Sequence, residues 1–474
     1  MFKLWDGTNR AGAAVRPPVQ KEVYMGKYFG TDGVRAVAGQ FPLVDDFIQK
    51  LGYAALRELQ EYAKDEHLKP QVIIAQDSRA SGPAILAALE KGIRASGADV
   101  ISVGIAPTPC VAYLVKKTGS LCGVVISASH NPAEFNGIKF FTNHGTKLPE
   151  ELENAIEAEI ESLQDIPSPK GALKEDVSLV KEYEKFLMST VDSSLLKGTK
   201  VVLDCANGAS SKVAVNVFAG LGMDVVVTAA KPDGTNINKN VGALHTQFMQ
   251  ELTQKEKAFV GFSFDGDADR VIASDEKGRQ LDGDNIIAAS ALCLKKEGRL
   301  NNNKAVLTIM ANLGCINYLK ENGVEVELTT VGDKYVSEAL EKGDLSVGGE
   351  TSGHIIFRHF ANTGDGILSA LQFLQFVKKS GKPVSWFADQ WSKYPSQLTA
   401  VPVTAKPPLD SLPGFLPGVA EIEKTMNGQG RVIVRYSGTE PKLRILVEGK
   451  EISAVNRVMQ EVEALYKQKT EACK

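Results

Sequence analysis

The strongest constraint on the fold is a set of short, β-branched runs that each end in a turn of small or polar residues. Four such runs lie at residues 71–75, 123–126, 200–204 and 305–309. Uninterrupted apolar runs of this length are typical of strands that are buried on both faces of a sheet. Between them lie segments of helical periodicity, such as 83–96, where apolar residues recur on one face. Strands that alternate with helices predict α/β domains with mixed, mainly parallel sheets.

The length and the positions of linker-like passages predict several domains. A chain of 474 residues corresponds to about three domains of roughly 150 residues, and a proline-rich passage near residue 401 precedes a further, smaller segment. The first 24 residues lack the apolar core of a signal peptide. The predicted divisions are a disordered extension at 1–24, three α/β domains at 25–170, 171–275 and 276–395, and a smaller C-terminal α+β domain at 396–474.

Composition argues against several classes of partner. The 54 basic and 57 acidic residues give a net charge of −3, and no block of like charge favours nucleic acid or an acidic membrane surface. No apolar run approaches the roughly 18 residues of a membrane-spanning helix. The six cysteines are scattered without a Cys-x-x-Cys pair, which predicts buried free thiols in a reducing cytoplasm.

A serine stands on the turn that leaves the second strand-like run. The segment ISASHNP at 126–132 places Ser129 directly after buried residues, so that its hydroxyl is exposed and positioned as a nucleophile requires. Pro132 restrains the turn by fixing its own φ. The alternative is that the Ser-His pair serves only the turn.

Three aspartates alternate in the segment FDGDADR at 264–270. On an extended stretch, the side chains of Asp265, Asp267 and Asp269 point the same way. Clustered carboxylates repel one another unless a cation neutralises them, and hard oxygen ligands favour magnesium. The alternative is a solvated acidic loop, against which the apolar approach at 258–262 argues. An EF-hand is disfavoured because no glutamate follows at the required position.

A third loop carries groups that suit paired sugar hydroxyls. In GGETSGH at 348–354, Glu350 supplies an acceptor and Ser352 both a donor and an acceptor. His354 can donate or accept a proton near neutral pH. A flexible loop with an incidental histidine is the alternative.

A fourth loop, RYSGTEP at 435–441, lies between two strand-like runs near the C-terminus. Its Ser-Gly-Thr turn can direct backbone N–H groups and two hydroxyls at one anion. Arg435 and Arg444 add fork-shaped positive charge. A plain hairpin turn is the alternative to a phosphate clamp.

These four motifs, in this order, resemble those of the α-D-phosphohexomutase superfamily over nearly the whole chain from Gly26. Within it, the sequence is most similar to the bacterial phosphoglucosamine mutases. The supporting segments are YFGTDGVR at 28–35, VGDKYV at 331–336, GGETSGH at 348–354 and TGDG at 363–366. The resemblance implies four domains around a central cleft, each of which contributes one motif.

The resemblance also implies a role for each matched residue. Ser129 is the expected phosphoserine and, with its phosphate, a magnesium ligand beside Asp265, Asp267 and Asp269. The expected electrostatic or acid–base groups are Arg35, Lys139 and His354. The expected substrate-binding residues are His130, Arg270, Gly332, Asp333, Lys334, Glu350, Ser352, Arg435, Ser437, Gly438, Thr439 and Arg444. The chain departs from the family pattern at Ala36, Ala268, Lys334 and Tyr436.

The implied activity is that of an isomerase, an intramolecular phosphotransferase. It interconverts glucosamine 6-phosphate and glucosamine 1-phosphate through a phosphoserine enzyme and a bisphosphorylated sugar, with one magnesium ion per subunit. The product would supply UDP-N-acetylglucosamine for cell-wall precursors in the cytoplasm. The alternatives left open are a phosphoglucomutase or phosphomannomutase with the same mechanism, a phosphatase, and an inactive sugar-phosphate-binding protein. A monomer and a homodimer are both left open.

Overall fold

The computed structural model describes residues 26–30, 32–64, 67–437 and 441–471. The predicted extension at 1–24 lies outside the described residues, and so do Gly438 and Thr439 of the predicted phosphate loop. Among the described residues the chain forms two compact units. One contains residues 26–311 and 315–392, and the other contains residues 312–314 and 393–471.

The first sheet of the larger unit is mixed. Its strands are β1 (Val34–Val37), β2 (Lys69–Gln76), β3 (Asp99–Ile105), β4 (Ser120–Ile126), β5 (Phe135–Thr142) and β6 (Leu173–Glu175). They follow the order β1-β5-β4-β2-β3-β6, in which β5 is antiparallel to both neighbours and the other pairs are parallel. The accompanying helices are α1 (Asp45–Ala63), α2 (Gly82–Ala95), α3 (Thr108–Thr118) and α4 (Glu150–Ser162).

The alternation of side chains explains why β2 is apolar throughout. Val72 and Ile74 pack in one cluster with buried residues of α1, α2 and α4, whereas Ile73 and Ala75 pack in another with residues of α3. Successive side chains of a strand point to opposite faces, and here both faces are covered by helices. A continuous apolar run is therefore the expected sequence, as predicted.

The second sheet follows along the chain. Its strands are β7 (Lys200–Asp204), β8 (Asp224–Thr228), β9 (Val260–Phe264), β10 (Val271–Ser274) and β11 (Gln280–Leu281), in the order β11-β10-β9-β7-β8. The three strands β9, β7 and β8 are parallel, and β10 and β11 complete the sheet as antiparallel hairpins. The accompanying helices are α5 (Val180–Ser189), α6 (Ser193–Leu196), α7 (Ser210–Gly220) and α8 (Gln247–Lys255).

The third sheet has the same mixed character. Its strands are β12 (Lys304–Thr308), β13 (Glu325–Thr329), β14 (Val347–Gly349) and β15 (Ile355–Phe357), in the order β13-β12-β14-β15 with only the last pair antiparallel. The helices of this part are α9 (Gly283–Lys296), α10 (Leu313–Glu321), α11 (Asp333–Lys342), α12 (Gly366–Ser380) and α13 (Val384–Ala388). Asp282 and Asn285 form a capping box that begins α9.

The smaller unit has an antiparallel sheet of β16 (Ser396–Pro402), β17 (Gly430–Tyr436) and β18 (Lys442–Gly449), with β18 in the centre. It carries α14 (Phe415–Lys424) and α15 (Ile452–Glu471). The predicted fold class, three α/β parts with mixed sheets and a smaller α+β part, is confirmed. The exact domain bounds stay a prediction.

Two further observations bear on the environment of the protein. Over the described residues, no helix combines the length and the apolar character that a membrane crossing requires. The five cysteines of that part of the chain are free thiols, and all but the half-buried Cys293 are buried.

Candidate active site

The predicted nucleophile lies at the carboxyl end of β4, in the loop that leads to β5. The prediction that the turn exposes Ser129 is wrong: the residue is buried, because the loop that carries Asp265 lies against it, and it has a left-handed backbone conformation with a φ of +52°. Its N–H donates to Oγ of Ser127 over 2.9 Å, and its own Oγ donates to Oδ2 of Asp265 over 2.7 Å. A residue other than glycine pays on the order of 1–3 kcal/mol for such a conformation, so the surrounding contacts must hold the serine in place.

The three alternating aspartates lie in the tight loop between β9 and β10. One carboxylate oxygen from each of Asp265, Asp267 and Asp269 lies within 4.8 Å of the others, and all three side chains are buried. Ala268 has a φ of +58° within this loop. Glycine adopts that conformation more readily, which explains why glycine is the usual residue at this position in the family.

The surroundings separate the pKa values of the three carboxyls. Burial, with repulsion from Asp269 and Asp267, raises the pKa of Asp265 well above its ordinary value. Burial acts in the same direction on the other two, but the Lys139 ammonium holds the pKa of each below its ordinary value. Lys139 Nζ donates to Oδ2 of Asp267 over 2.8 Å, and Thr108 Oγ1 donates to the same oxygen over 2.6 Å.

Two carboxylate oxygens of this cluster are left for a further ligand. Oδ1 of Asp267 and Oδ1 of Asp269 are buried and accept no hydrogen bond from the described residues. Buried anionic oxygens without a partner are costly, and a hard cation with oxygen ligands would remove that cost. Asp265, Asp267 and Asp269 therefore fit a metal ion.

Three basic side chains, those of Arg35, Lys139 and Lys147, contact the carboxylate of Asp32. The distance from that carboxylate to Nζ of Lys139 is 2.9 Å. Lys139 Nζ lies in turn 3.8 Å from Oδ2 of Asp269. The family resemblance predicted Arg35 and Lys139 as site residues, but it did not predict Asp32 and Lys147. The signal for Asp32 was its place within the matched segment YFGTDGVR.

His354 bridges two carboxylates in the buried interior. Its Nε2 lies 3.4 Å from Oδ2 of Asp333, and its Nδ1 lies 3.6 Å from Oδ2 of Asp269. The Gly364 N–H donates to Nε2 over 3.0 Å, so the neutral ring carries its proton on Nδ1. Burial lowers the pKa of His354, but the two carboxylates raise it above its ordinary value.

Carboxylates thus alternate with Lys139, Lys147 and His354 in a closed ring, because Lys147 also contacts the carboxylate of Asp333. We call this set the charge ring. Its members, in order, are Asp269, Lys139, Asp32, Lys147, Asp333 and His354.

Arg270 and His130 lie beside Ser129. Arg270 Nη1 lies 2.8 Å from Nδ1 of His130, and that nitrogen lies 3.3 Å from Oγ of Ser129. Burial, with the positive charges of Arg270 and Arg35, lowers the pKa of His130 to about 4. His130 is therefore neutral near pH 7 and accepts the hydrogen bond from Arg270. The backbone N–H of Arg270 donates to Asp265 Oδ1 over 3.2 Å.

The predicted hydroxyl-reading loop lies between β14 and β15. Glu350 accepts from the Gly332 N–H over 3.1 Å at Oε1 and from Ser352 Oγ over 3.2 Å at Oε2. Gly332 has a φ of +133° at the N-cap of α11, so Asp333 and Lys334 begin that helix beside the loop. The structure thus brings together predicted substrate-binding residues from two separate motifs.

A cavity of about 190 Å³ opens between α11 and the connection from β5 to α4. Its lining includes Lys147, Asp333, Lys334 and His354. Lys334 Nζ forms an ion pair of 3.4 Å with Glu153 Oε2. The cavity therefore carries charges of both signs next to the charge ring.

Backbone contacts fix the aspartate loop against the third sheet. Arg270 pairs with His354 in an isolated antiparallel bridge, and the Gly366 N–H donates to the carbonyl of Ala268 over 3.0 Å. A Cβ atom on Gly366 would lie 2.4 Å from the Arg270 carbonyl oxygen. Only glycine fits at position 366, which explains the last glycine of the matched segment TGDG.

The predicted phosphate clamp lies in the smaller unit. Arg435 on β17 is directly opposite Arg444 on β18, and both side chains are half-buried. Burial, with the positive charge of Arg444, lowers the pKa of Arg435. Two like charges directly opposite each other on neighbouring strands are unfavourable. Ser437 is buried, and its carbonyl accepts from Lys406 Nζ over 2.6 Å.

Three residues reach the site without any sequence signal. Thr108, at the start of α3, donates to Asp267 as described above. Arg79 Nη2 and Asn238 Nδ2 both donate to the carbonyl of Ser129, over 3.0 Å and 2.9 Å. No motif marks them, because each acts alone and lies far along the chain from its partner.

Comparison with known proteins identifies the class of enzyme. The chain matches, in order, the α/β/α domains I, II and III and the C-terminal domain of the phosphoglucomutase/phosphomannomutase family, at residues 26–166, 180–278, 282–394 and 398–465. The chain therefore belongs to this family, within the α-D-phosphohexomutases, as the sequence predicted. It is an isomerase that transfers a phosphoryl group within its substrate.

The relatives within the family point to one member. The phosphoglucosamine mutase of Caldicellulosiruptor bescii is 44% identical over an alignment of 441 positions that covers 91% of this chain and 97% of that protein. The phosphoglucosamine mutase of Clostridium novyi is 42% identical over 94% of this chain and its own whole length.

Solved structures agree on the fold. A phosphoglucomutase/phosphomannomutase family protein from Burkholderia thailandensis superposes with a TM-score of 0.77 at 21% identity, over 93% of this chain and 97% of that one. The N-acetylphosphoglucosamine mutase of Aspergillus fumigatus, solved with GlcNAc-6P and magnesium, gives a TM-score of 0.62 at 17% identity, over 93% and 96% of the two chains.

Proposed function

We propose that the enzyme interconverts glucosamine 6-phosphate and glucosamine 1-phosphate through a phosphate carried on Ser129. The observation that carries this proposal is the hydrogen bond of 2.7 Å from Ser129 Oγ to Asp265, inside a cluster of three buried carboxylates. The choice of glucosamine is supported by the names of relatives that are 42–44% identical over more than nine-tenths of this chain.

The metal in this proposal is magnesium, one ion per subunit. Asp265, Asp267 and Asp269 would hold it together with the phosphate on Ser129. The Oδ1 atoms of Asp267 and Asp269, which accept no hydrogen bond from the described residues, support that assignment. When bound, the ion supplies positive charge that stabilises the transferring phosphoryl group.

The first half-reaction moves the phosphoryl group from the enzyme to the sugar. The free sugar hydroxyl attacks the phosphorus, the bond from phosphorus to Ser129 Oγ breaks, and the hydroxyl proton ends on that Oγ. The product is a bisphosphorylated sugar. The second half-reaction reverses these changes at the other phosphate, so that Ser129 is phosphorylated again and the isomer leaves.

The chain's cations would stabilise the charge that develops during both transfers. Lys139 is buried and fixed between carboxylates, while Arg35 and Arg270 each have a buried Nε that donates no hydrogen bond among the described residues. Preorganised charges of this kind need no rearrangement at the moment of reaction. His354 would serve as an electrostatic or acid–base group of the same site.

Two loops would bind the substrate away from the reacting bond. Glu350 and Ser352 would contact sugar hydroxyls, whereas Arg435, Arg444 and the Ser437 loop would hold the phosphate that is not reacting. A mutase binds its sugar in two orientations, so the clamp must recognise a phosphate rather than one sugar face.

The nearest competing function is that of a phosphoglucomutase or phosphomannomutase, because the family description itself carries both names. The deciding experiment follows glucosamine, glucose and mannose 6-phosphates by phosphorus NMR with purified enzyme and magnesium. We expect kcat/KM to be highest for the glucosamine ester. A higher value for glucose or mannose would contradict the assignment, and release of inorganic phosphate as the main product would indicate a phosphatase.

A cytoplasmic location completes the proposal, and the free, mostly buried thiols support it. Fractionation of the source cells tests the location. Sedimentation velocity distinguishes a monomer from a homodimer.

A further inference from the structure

We infer that Arg79 and Asn238 are positioning residues for phosphoryl transfer. They hold the main-chain carbonyls of the loop between β4 and β5 so that Ser129 Oγ faces the carboxylate cluster. This inference rests on the proposed function, in that it takes Ser129 as the phosphate carrier. Both residues act through the backbone, and neither belongs to a motif of the sequence.

Arg79 uses every N–H group of its guanidinium, and its side chain is completely buried. Nε donates to Oδ2 of Asp77 over 2.9 Å, which pairs the buried charge. Nη1 and Nη2 together donate to four carbonyls of one loop. These belong to Ser129 (3.0 Å), Asn131 (2.9 Å), Pro132 and Phe135 (3.0 Å).

The carboxylate of Asp77 holds the opposite end of Ser129. Ser127 Oγ donates to Asp77 Oδ2 over 2.6 Å and accepts the Ser129 N–H over 2.9 Å. Asp77 and Ser127 follow directly after β2 and β4, whose last residues Gln76 and Ile126 pair in parallel register. Both backbone polar groups of Ser129 are thus fixed, which explains how its left-handed conformation is maintained.

Asn238, in the segment between β8 and α8, forms further hydrogen bonds to the serine loop between β4 and β5. Its Nδ2 donates to the carbonyls of Ser129 and Asn131 over 2.9 and 3.1 Å, the same oxygens that Arg79 contacts. The aspartate loop lies against the same point, because a Cβ atom on Gly266 would lie 2.5 Å from the Ser129 carbonyl oxygen. The serine loop is therefore placed against the aspartate loop through these carbonyls.

This arrangement separates the positioning of the phosphate carrier from the binding of the sugar. A displacement of about 1 Å at a reacting atom can cost on the order of a hundredfold in rate. The sugar contacts assigned to Glu350, Ser352 and Arg435 do not pass through Arg79 or Asn238. Removing hydrogen bonds from Arg79 or Asn238 to the serine loop should therefore lower kcat, while KM for the sugar phosphate changes little.

The test compares Arg79→Lys with Arg94→Lys. A lysine at position 79 keeps the charge for Asp77 but has three donors where the guanidinium has five. Arg94 is the matched control, since it donates to the Gly171 carbonyl and to Glu90 in the same sheet region, away from the serine loop. The measurements are kcat, KM, Tm, and the rate of phosphate transfer from glucose 1,6-bisphosphate to Ser129, followed by mass spectrometry.

We expect Arg79→Lys to lower both kcat and the transfer rate at least tenfold, with KM within threefold of wild type. Arg94→Lys should keep kcat within twofold at a comparable loss in Tm. Wild-type kcat in Arg79→Lys, or an equal loss of kcat in both variants, would overturn the inference. Wild-type enzyme that takes no phosphate on Ser129 would instead contradict the proposed function.

A second pair of variants decides the matter if Arg79→Lys does not fold. Asn238 and Asn240 both have a positive φ, of 57° and 56°, so glycine fits at either position. Asn238→Gly removes the amide donor to the serine loop, whereas the exposed Asn240 is the matched control. We expect at least a fivefold loss of kcat in Asn238→Gly alone. Equal kcat in the two variants would overturn the inference.

Discussion

The hydroxyl of Ser129 donates a hydrogen bond of 2.7 Å to the carboxylate of Asp265, although 136 residues separate the two along the chain. The contact joins the end of β4 in the first sheet to the loop between β9 and β10 in the second. A phosphate on Ser129 would add negative charge next to three carboxylates, so the site requires a cation to be stable when it is phosphorylated.

Magnesium should therefore stabilise the folded enzyme through the aspartate loop. Saturating magnesium should raise the Tm of the wild type, since a ligand at 100 times its Kd adds about 2.7 kcal/mol to the free energy of unfolding. Asp267→Asn should reduce this shift strongly, because it removes one of the three ligand charges. Differential scanning calorimetry with and without magnesium measures the effect.

The control for that experiment is Asp275→Asn. Asp275 is also buried in the second sheet, but it accepts hydrogen bonds from the N–H groups of Lys277 and Arg279 in the turn after β10. Its substitution should lower the Tm and leave the magnesium shift intact. Equal shifts in Asp267→Asn and the wild type would mean that the metal binds elsewhere.

Lys147 should contribute more to stability than an ordinary surface lysine. Its side chain is 16% exposed and lies between Asp32 and Asp333 in the charge ring. Lys147→Met leaves two largely buried carboxylates without this cation, which should cost about 2 kcal/mol or more in the free energy of unfolding. Urea denaturation measures it.

Lys304→Met is the matched comparison. Lys304 Nζ lies 3.6 Å and 3.8 Å from two glutamates on β13, and its side chain is 31% exposed. Exposed pairs of this kind contribute less than about 1 kcal/mol. A loss in Lys147→Met no larger than that in Lys304→Met would show that the charge ring adds nothing to stability.

Asp365 should make stability depend on pH. Burial raises its pKa to about 6, although hydrogen bonds from the Leu368 N–H and Tyr183 OH act in the opposite direction. The folded state then holds this proton more tightly than the unfolded chain, so the contribution of Asp365 to stability falls as the pH rises through 6. Between pH 5 and 7.5 the fall is on the order of 1 kcal/mol.

Asp365→Asn stays neutral and should escape this fall. Its free energy of unfolding, measured with urea, should therefore rise relative to the wild type between pH 5 and 7.5. Asp192→Asn, at the N-cap of α6, should show no such rise, because hydrogen bonds from Ser194 lower the pKa of Asp192. A constant difference between Asp365→Asn and the wild type would contradict the assigned pKa.

The proposed phosphate clamp should act on the substrate and not on the proposed phosphoserine. Arg435→Ala removes charge-assisted hydrogen bonds worth about 1.5–3 kcal/mol, so kcat/KM should fall roughly ten- to a hundredfold. Arg435→Lys should recover only part of the loss, because an ammonium lacks the planar fork. Steady-state kinetics in both directions, with mass spectrometry of Ser129, measure the two effects separately.

Arg431 on the same strand is the control for the clamp. It forms a salt bridge of 2.8 Å with the buried Glu448, so Arg431→Ala should lower stability and keep kcat/KM within about twofold. If Arg435→Ala kept the wild-type kcat/KM for both phosphate esters, the clamp would have to lie elsewhere.

The sequence predicted those parts of the site that repeat in a local pattern. The apolar runs predicted the buried strands, and the alternation of Asp265, Asp267 and Asp269 predicted that their side chains would lie together. Ser129 could be predicted as the nucleophile because it stands on a turn that leaves a buried strand. In each case neighbouring residues carry the signal, and backbone periodicity translates it into position.

Single residues that act across the fold could not be predicted in this way. Arg79 reaches carbonyls 50 or more positions away, and Lys147 reaches Asp32 from 115 positions away. Nothing in their immediate sequence distinguishes them from surface cations, and only the strand order brings them to their partners. The Ser129–Asp265 contact itself was implied by family resemblance and not by any spacing in the chain.

The most direct test of the account is to locate the phosphate on the active enzyme. Purified protein is incubated with glucose 1,6-bisphosphate and magnesium, digested, and analysed by peptide mass spectrometry, in parallel with Ser129→Ala. We expect one phosphate, on Ser129, in the wild type. We also expect a loss of nearly all mutase activity in the folded Ser129→Ala variant, whose peptide should carry no phosphate. Phosphate mapped only to Ser127, with full turnover in Ser129→Ala, would contradict the assignment of the nucleophile.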